Sequence, residues 1–420
     1  MASPEELIRS IRDEFEIVID ETKNSIHRDV KFPEIPNMIK VAIGMRRTGK
    51  TYVLFQVIHD LLAQNIPIET ILYINFEDDR LLPMDKIKLA ELLDAFYTLY
   101  PNNHDNLCYF FLDEIQNVED WPIVIRRFLD SKKVKIYLSG SSSKLLSKEI
   151  ATSLRGRSLP TEIWPYSFHE FLVAQQIDTP TQVLGKKSSD IYLSHLNNYL
   201  MTGGFPAVQN IQTEERRGLL QNYVDVVIYR DIIERYKITN IILIKFLVKS
   251  LINLSACSYS PNKFFNDLKS KGFKVSKDTV YEYISYIEDA FLAFTIPLHS
   301  ESLRKTQVNP KKVYSIDSGL INAYSMSFSK NIGRMFENQF YIHLRRHGHD
   351  IYYYQTKEGY EIDFFTRDQK GKYHLHQITW DTYNKETLAR EMRALKAAEK
   401  ELQIKGELIS PIEFLKEQAS

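Results

Sequence analysis

Cysteine is nearly absent: Cys108 and Cys257 are the two in 420 residues. Two cannot build a disulfide framework, and neither has another plausible metal ligand beside it in the sequence, which argues against a stapled secreted fold and a cysteine metal centre. Long apolar runs are missing as well. No stretch reaches the ~18 uninterrupted apolar residues of a membrane span; the best candidate, Ile241 to Leu254, is broken by Lys245 and Lys249. The opening residues, MASPEELIRSIRDEFEIV, are acidic and amphipathic, without the basic start or apolar core of a secretory signal. A reducing cytoplasm, with no membrane, is the expected setting. Charge of one sign is lacking too, since 54 Lys and Arg balance 54 Asp and Glu. That excludes a protein that coats nucleic acid indiscriminately and leaves room only for a local basic patch. No repeat of fixed period and no low-complexity tract interrupts the chain.

What is present suits a folded chain of about three domains, at roughly 100–200 residues each. Hydrophobic residues make up 44%, enough for a sizeable core and too many for disorder. From Ile39 to about Ile163, strand candidates (Ile39–Ile43, Thr70–Phe76, Cys108–Leu112, Lys135–Leu138) alternate with helix candidates (Thr51–Gln64, Asp85–Tyr100, Val118–Leu129). The strands are apolar throughout, as in a parallel sheet covered on both faces. Beyond Tyr166 the pattern turns helical, then helix-turn-helix over roughly 238–300. After about residue 331 strand signals return (Asp350–Gln355, Glu361–Phe365, Tyr373–Thr379) between two helices.

After the first strand come Gly44, Met45, Arg46, Arg47, Thr48, Gly49, Lys50 and Thr51, followed by Tyr52 in a helix. The spacing is G-x-x-x-x-G-K-[ST] between a strand and a helix, where a phosphate-cradling loop belongs. Glycines let the backbone curl so that N–H groups face phosphate oxygens, and the helix adds its positive end. Lys50 is expected on the β- and γ-phosphates and the Thr51 hydroxyl on Mg²⁺. The run Tyr109–Glu114 is an apolar strand ending in two carboxylates. Asp113 is expected to hold the magnesium and Glu114 to act as general base on water; the alternative is that the pair caps the next helix. On the following strand, Ser141 is the first choice and Ser139 the second for a polar group at the water or γ-phosphate, against simple helix capping. Arg155 or Arg157 in LRGRS is a candidate finger supplied to a neighbouring subunit, against a solvated loop or a salt bridge with Glu162.

The loop GMRRTGKT, INFEDDRL (Ile74–Leu81), FFLDEIQNVEDW (Phe110–Trp121), YLSGSSSKLL (Tyr137–Leu146) and the later RGRS, PYSFHEFL and GGFP occur in one order. Together they resemble the bacterial and archaeal AAA+ ATPases of the AAA_14 type, which usually carry a DUF4143 C-terminal region. The resemblance runs from about Ile39 to Thr379. It implies an α/β fold: a P-loop ATPase core (39–165) after an N-terminal helical segment (1–38), then a helical lid (166–237). A winged-helix segment (238–330) and a restriction-endonuclease-like α/β domain (331–420) follow. It also implies ATP and Mg²⁺ as ligands and assembly into a homo-oligomer. Glu77 and Asp78 then belong to a family segment that either couples nucleotide state to a partner or forms a charged turn. Tyr229, Arg230 and Asp231 of the lid are expected to line the nucleotide.

Ser260–Pro261 and Ser276 each open a helix well, giving the helix-turn-helix that a nucleic-acid reader needs. Lys263, Lys269, Lys271, Lys274 and Lys277 cluster there, and a candidate wing adds Arg304, Lys305 and the pair Lys311–Lys312. These point to DNA, branched or single-stranded forms included, against a solvated face or a protein contact. Near the C-terminus, Glu337, Glu361 and Asp363 follow a PD-(D/E)xK layout, yet Gln377 and Thr379 stand where a carboxylate and a lysine should be. The expectation is a nuclease-like domain without cleavage. His343, His347, His349, His374 and His376 are read as surface residues. The whole predicts an ATPase that remodels or moves along DNA. The alternatives are a slow nucleotide-operated switch for a protein partner, as in signalling or phage defence, and an ATP-gated nuclease.

Overall fold

The computed structural model describes residues 3–140, 150–179, 185–302, 306, 309–325 and 332–419. Its contacts divide the chain into two compact units, Met1–Ile163 and Trp164–Ser420.

In the first unit, strands β1 (Ile39–Ile43), β2 (Ile71–Asn75), β3 (Cys108–Asp113), β4 (Val134–Gly140) and β5 (Ser158–Glu162) form one parallel sheet, ordered β2-β3-β4-β1-β5. Every residue of β1 and β3 is buried, which is why both are mostly apolar, Lys40 and the terminal Asp113 excepted. On one face Phe111 and Tyr137 pack with Val53, Leu54, Phe55 and Ile58 of the helix Lys50–Ala63. The leading helix, Pro4–Thr22, starts on a Ser3/Glu6 capping box and buries Ile8, Ile11 and Phe15. It packs on β2 and on the helix Lys86–Leu99. At about 1.5–3 kcal/mol per buried large side chain, those three residues contribute roughly 5–9 kcal/mol before chain entropy is counted. The N-terminal segment is therefore part of this unit's core.

The topology sets the site. β1 lies between β4 and β5, so the loop after Ile43 emerges beside Gly140 at the end of β4, and β3 ends one strand further on. Asp113 thus comes to the loop across β4, from a position 62 residues beyond Thr51. Ser158 pairs with Ile39, so Arg155 and Arg157 precede β5 at the end where the strands begin, opposite the end that carries the loop.

In the second unit the helix Ile241–Asn253 buries Leu243, Ile244, Leu247, Val248, Leu251 and Ile252 while Lys245 and Lys249 stay outside that stripe. Antiparallel strands β6 (Cys257–Tyr259), β7 (Ala293–Ile296) and β8 (Lys311–Ser315) are ordered β6-β8-β7, with helices Pro261–Ser270 and Lys277–Asp289 between β6 and β7. A second sheet, β12-β11-β10-β9, contains β9 (Asp350–Gln355), β10 (Glu361–Arg367), β11 (Tyr373–Ile378) and β12 (Gly406–Ile409). The helix Lys385–Leu402 packs Ala394, Leu395 and Ala398 on its Ile362, Phe365 and Leu375. Among the described residues no helix is long and apolar enough to cross a membrane.

Two expectations need correcting here. Lys312 is not a cation of a wing: β8 is the central strand of its sheet and Lys312 is buried, its ammonium among carboxylates. His376 is not a surface residue either, because β11 carries it into the interior beside Phe340.

Candidate functional site

The phosphate-loop sequence folds as its glycines require. Gly44 has φ 153°, and a side chain there would lie 2.3 Å from the carbonyl oxygen of Ile163; Gly49 has φ 96°. Both positions therefore select glycine on conformation, and Gly44 on space as well. The helix Lys50–Ala63 begins directly after Gly49 with no side chain capping its first turn, leaving its leading N–H groups toward the loop. Lys50 is buried and folds back, donating to the carbonyls of Gly44 at 3.2 Å and Met45 at 3.1 Å. Thr48 closes the turn by donating to Met45 O at 2.9 Å.

The two acids meet this loop directly. The Thr51 hydroxyl donates to Asp113 Oδ2 at 2.7 Å, and the Tyr73 phenol donates to the same oxygen at 3.0 Å. Lys50 Nζ lies 3.9 Å from Glu114 Oε1. Glu114 adopts φ 52°, an uncommon conformation for a residue with a side chain and one that concentrates at functional sites. Burial pushes its carboxyl above the usual range; Lys50 opposes this and Asp113 adds to it. Burial, reinforced by Asp113, likewise keeps Tyr73 a neutral phenol.

Ser139 joins the acids. Its buried hydroxyl accepts the Glu114 N–H at 3.0 Å and donates to Asp113 Oδ1. Ser141, the first choice from sequence, lies outside the described residues, as do Arg304 and Lys305 of the expected wing. Tyr52 is exposed on the helix. Arg46 pairs with Glu77 at 2.7 Å, tying the loop to the segment after β2, while Asp78 engages Arg80, which also holds Glu14 of the leading helix. Arg155 is exposed with φ 51°, and Arg157 pairs with Asp130. Tyr229, Arg230 and Asp231 lie in a π-helical stretch, Val227–Glu234, of the second unit. Lys269, Lys271, Lys274 and Lys277 are exposed around the two helices after β6. Lys269 and Lys271 lie over the rings of Phe265 and Phe246, at 4.9 and 4.7 Å.

One residue of the loop region escaped the sequence reading. Arg28 is buried, with Nη1 donating to Thr48 O at 2.9 Å. Gln56 holds its backbone at both ends: the Arg28 N–H donates to Oε1 at 2.7 Å, and Nε2 donates to Arg28 O at 3.1 Å. No spacing rule links position 28 to the loop, and an arginine between His27 and Asp29 gives no hint of burial.

The residues fit a nucleotide with its cation. The loop offers a buried ammonium, an uncapped helix start and glycines that admit a close backbone approach. Thr51 and Asp113 are adjacent hard oxygen donors of the kind that suits Mg²⁺. Among the described residues no group of three or more His, Cys, Asp or Glu side chains is arranged to hold a metal ion by itself.

A parallel sheet ordered β2-β3-β4-β1-β5, with a phosphate loop after β1 and paired acids ending β3, defines a P-loop AAA+ ATPase fold. The chain belongs to the AAA_14/DUF4143 type of that class. The AAA_14 model, an AAA domain, matches residues 36–172, and two domains of unknown function, DUF8612 and DUF4143, match 193–331 and 332–412. Uncharacterized protein MJ1544 of Methanocaldococcus jannaschii is 40% identical over 383 residues, covering 90% of this chain and 82% of that one. An uncharacterized protein of Haemophilus influenzae is 29% identical over 346 residues, with 82% and 83% covered. Among solved structures, the Walker-type ATPase PABY2304 of Pyrococcus abyssi aligns over 74% of this chain and 95% of its own, at 13% identity and a TM-score of 0.43.

Proposed function

We propose that this chain hydrolyses ATP with Mg²⁺ and couples the reaction to DNA. The observation that carries the first half is the contact of Thr51 with Asp113 at 2.7 Å, beside Lys50 and Glu114 at 3.9 Å. Those four side chains come from two separate motifs, and a fold that merely buried them would have no need to bring them together. On this reading Lys50 leaves its backbone carbonyls to bind the β- and γ-phosphates, with the N–H groups of Gly49 to Thr51 around them. Thr51 and Asp113 would hold the magnesium ion, which when bound neutralises charge on the β- and γ-phosphate oxygens. Glu114 takes the proton of the attacking water on its carboxylate, and its raised pKa makes it a better base than an exposed glutamate. Ser139 fixes the direction of both acids. Arg155 and Arg157, at the opposite end of the strands from their own loop, are suited to act on a second protomer rather than on their own site.

The DNA half rests on the four exposed lysines of the paired helices and the turn between them, which we read as a winged-helix surface. We read residues 166–237 as the lid and 331–420 as a nuclease-like domain without cleavage. The test is phosphate release with Mg²⁺ and with EDTA, across linear, forked, four-way-junction and single-stranded DNA. The proposal expects Mg²⁺-dependent turnover raised severalfold by at least one DNA. One observation favours a second reading, a slow nucleotide-operated switch for a protein partner. Glu114 is engaged by Gln116 as well as facing Lys50, so the base is held in the resting chain. Turnover that is slow and indifferent to every DNA would favour that reading.

A further inference from the structure

The second unit buries one ammonium among three carboxylates. Lys312 on β8 has a side chain only 3% exposed, and its Nζ stands 2.8 Å from Asp363 Oδ1, 3.0 Å from Glu337 Oε1 and 3.1 Å from Glu361 Oε1. The three N–H bonds of a primary ammonium match three acceptors in number. The acceptors come from different elements: Glu337 from the helix Ile332–Arg346, Glu361 and Asp363 from β10. Other groups hold two of them in place. The Tyr314 hydroxyl donates to Glu337 Oε1 at 2.9 Å, and the Ile378 N–H donates to Asp363 Oδ2 at 2.9 Å. Gln377 accepts the Asp363 N–H at 3.2 Å and donates to Glu391 at 2.6 Å, so β11 braces β10 where the cluster sits.

Carboxylate oxygens converging on one cationic point, two of the three steadied by a second contact, are what a hard divalent cation selects. Here the distances belong to nitrogen. At 2.8–3.1 Å they are hydrogen bonds to Asp363 and Glu337 and an ion pair with Glu361, whereas Mg²⁺ or Ca²⁺ draws oxygens to roughly 2.0–2.6 Å. Three carboxylates against one ammonium also leave the cluster short of positive charge. Burial accordingly pushes the Glu337 carboxyl up to about 7, although Lys312 opposes it. Burial acting alone would lower Lys312, but Asp363 and Glu337 overcome it and keep the amine charged. Glu361 is the half-exposed member and gives the centre a solvent side.

We propose that Lys312 is a tethered cation filling a three-carboxylate site formed by Glu337, Glu361 and Asp363, and that vacating this position opens the site to a hard divalent cation. The inference is independent of the nucleotide reading, since every group it uses lies in the second unit.

The test uses the full chain, nucleotide-free, as wild type, Lys312→Ala and Lys312→Ala/Asp363→Asn. Tb³⁺ emission sensitised by Tyr314 and displaced by Mn²⁺ reads occupancy, and Mn²⁺ titration reads stoichiometry. The alanine variant is expected to gain one Mn²⁺ equivalent over wild type, with at least tenfold tighter binding, and to melt several degrees higher with Mn²⁺ than without. The double variant is expected to lose that equivalent. Equal stoichiometry in wild type and the alanine variant overturns the proposal, as does retention of the ion in the double variant. Should the alanine variant fold only with Mn²⁺, that outcome supports it. Should it not fold at all, Lys312→Ser also vacates the centre while leaving a hydroxyl on the strand, and failure of that variant to gain the ion overturns the proposal.

Discussion

Replacing Ser139 with alanine tests how the two acids are held. The side chain makes two contacts through one buried oxygen, accepting the Glu114 N–H at 3.0 Å and donating to Asp113. Its loss strands a buried amide, at about 1–3 kcal/mol, and removes a charge-assisted hydrogen bond whose net value is about 1.5–3 kcal/mol. The two share an atom and do not add fully, so the unit should lose about 2–4 kcal/mol. At roughly 2–4 °C per kcal/mol for a unit of this size, melting should fall by about 5–15 °C. If about 1.4–2.8 kcal/mol of that energy also holds Asp113 and Glu114 in their reacting arrangement, turnover should slow about 10–100-fold. Differential scanning calorimetry and steady-state phosphate release measure the two effects. Ser139→Thr, which keeps the hydroxyl, should recover most of both. An alanine variant that melts and turns over as wild type would refute the role given to this hydroxyl.

Other substitutions probe the remaining groups. Glu114→Gln should keep nucleotide affinity and slow hydrolysis by about 10²–10⁴, the range of a lost general base; wild-type turnover contradicts the assignment. Because burial raises the Glu114 carboxyl, its protonated, inactive form persists to higher pH than for an exposed glutamate. The acid limb of kcat/KM should therefore lie above the ordinary carboxylate range, and a limb inside that range would remove Glu114 from the role. Neutralising Lys269, Lys271, Lys274 and Lys277 together should weaken DNA binding and reduce the log–log salt slope by about 3–4, at roughly 0.9 per phosphate contact; an unchanged slope moves the DNA surface elsewhere. Arg155→Ala and Arg157→Ala should each bind nucleotide normally. For the true finger, turnover should be restored when the variant is mixed with Lys50→Ala protein, and no restoration in either mixture argues against a group acting between subunits.

The contiguous motifs were the legible part of this chain. Gly44–Thr51 and Tyr109–Glu114 state their chemistry in sequence because a curled loop and a strand end are local structures, and the structure brings Lys50, Thr51, Asp113 and Glu114 together. The apolar strands were equally plain, with β1 observed at Ile39–Ile43 as expected and β2 one residue shorter at each end than expected. The order β2-β3-β4-β1-β5 was not legible, since alternation of strands and helices does not say which strand inserts where. Long-range polar contacts were the least legible. Arg28 reaches Thr48 from 20 residues away, and Lys312 reaches Asp363 from 51. A lysine beside another lysine reads as solvated charge, and only the pairing of β8 as a central strand shows that one of the two must turn inward. The same holds for His376, whose partner elements lie far from it in the chain.

The most direct test of the central claim is equilibrium binding of a fluorescent ATP analogue with Mg²⁺ to wild type and to Lys50→Ala, each shown by circular dichroism to be folded. Saturable, EDTA-sensitive binding by wild type that falls at least tenfold in the variant is the expected result. Equal affinity in the two proteins, or no binding by wild type, would contradict the account.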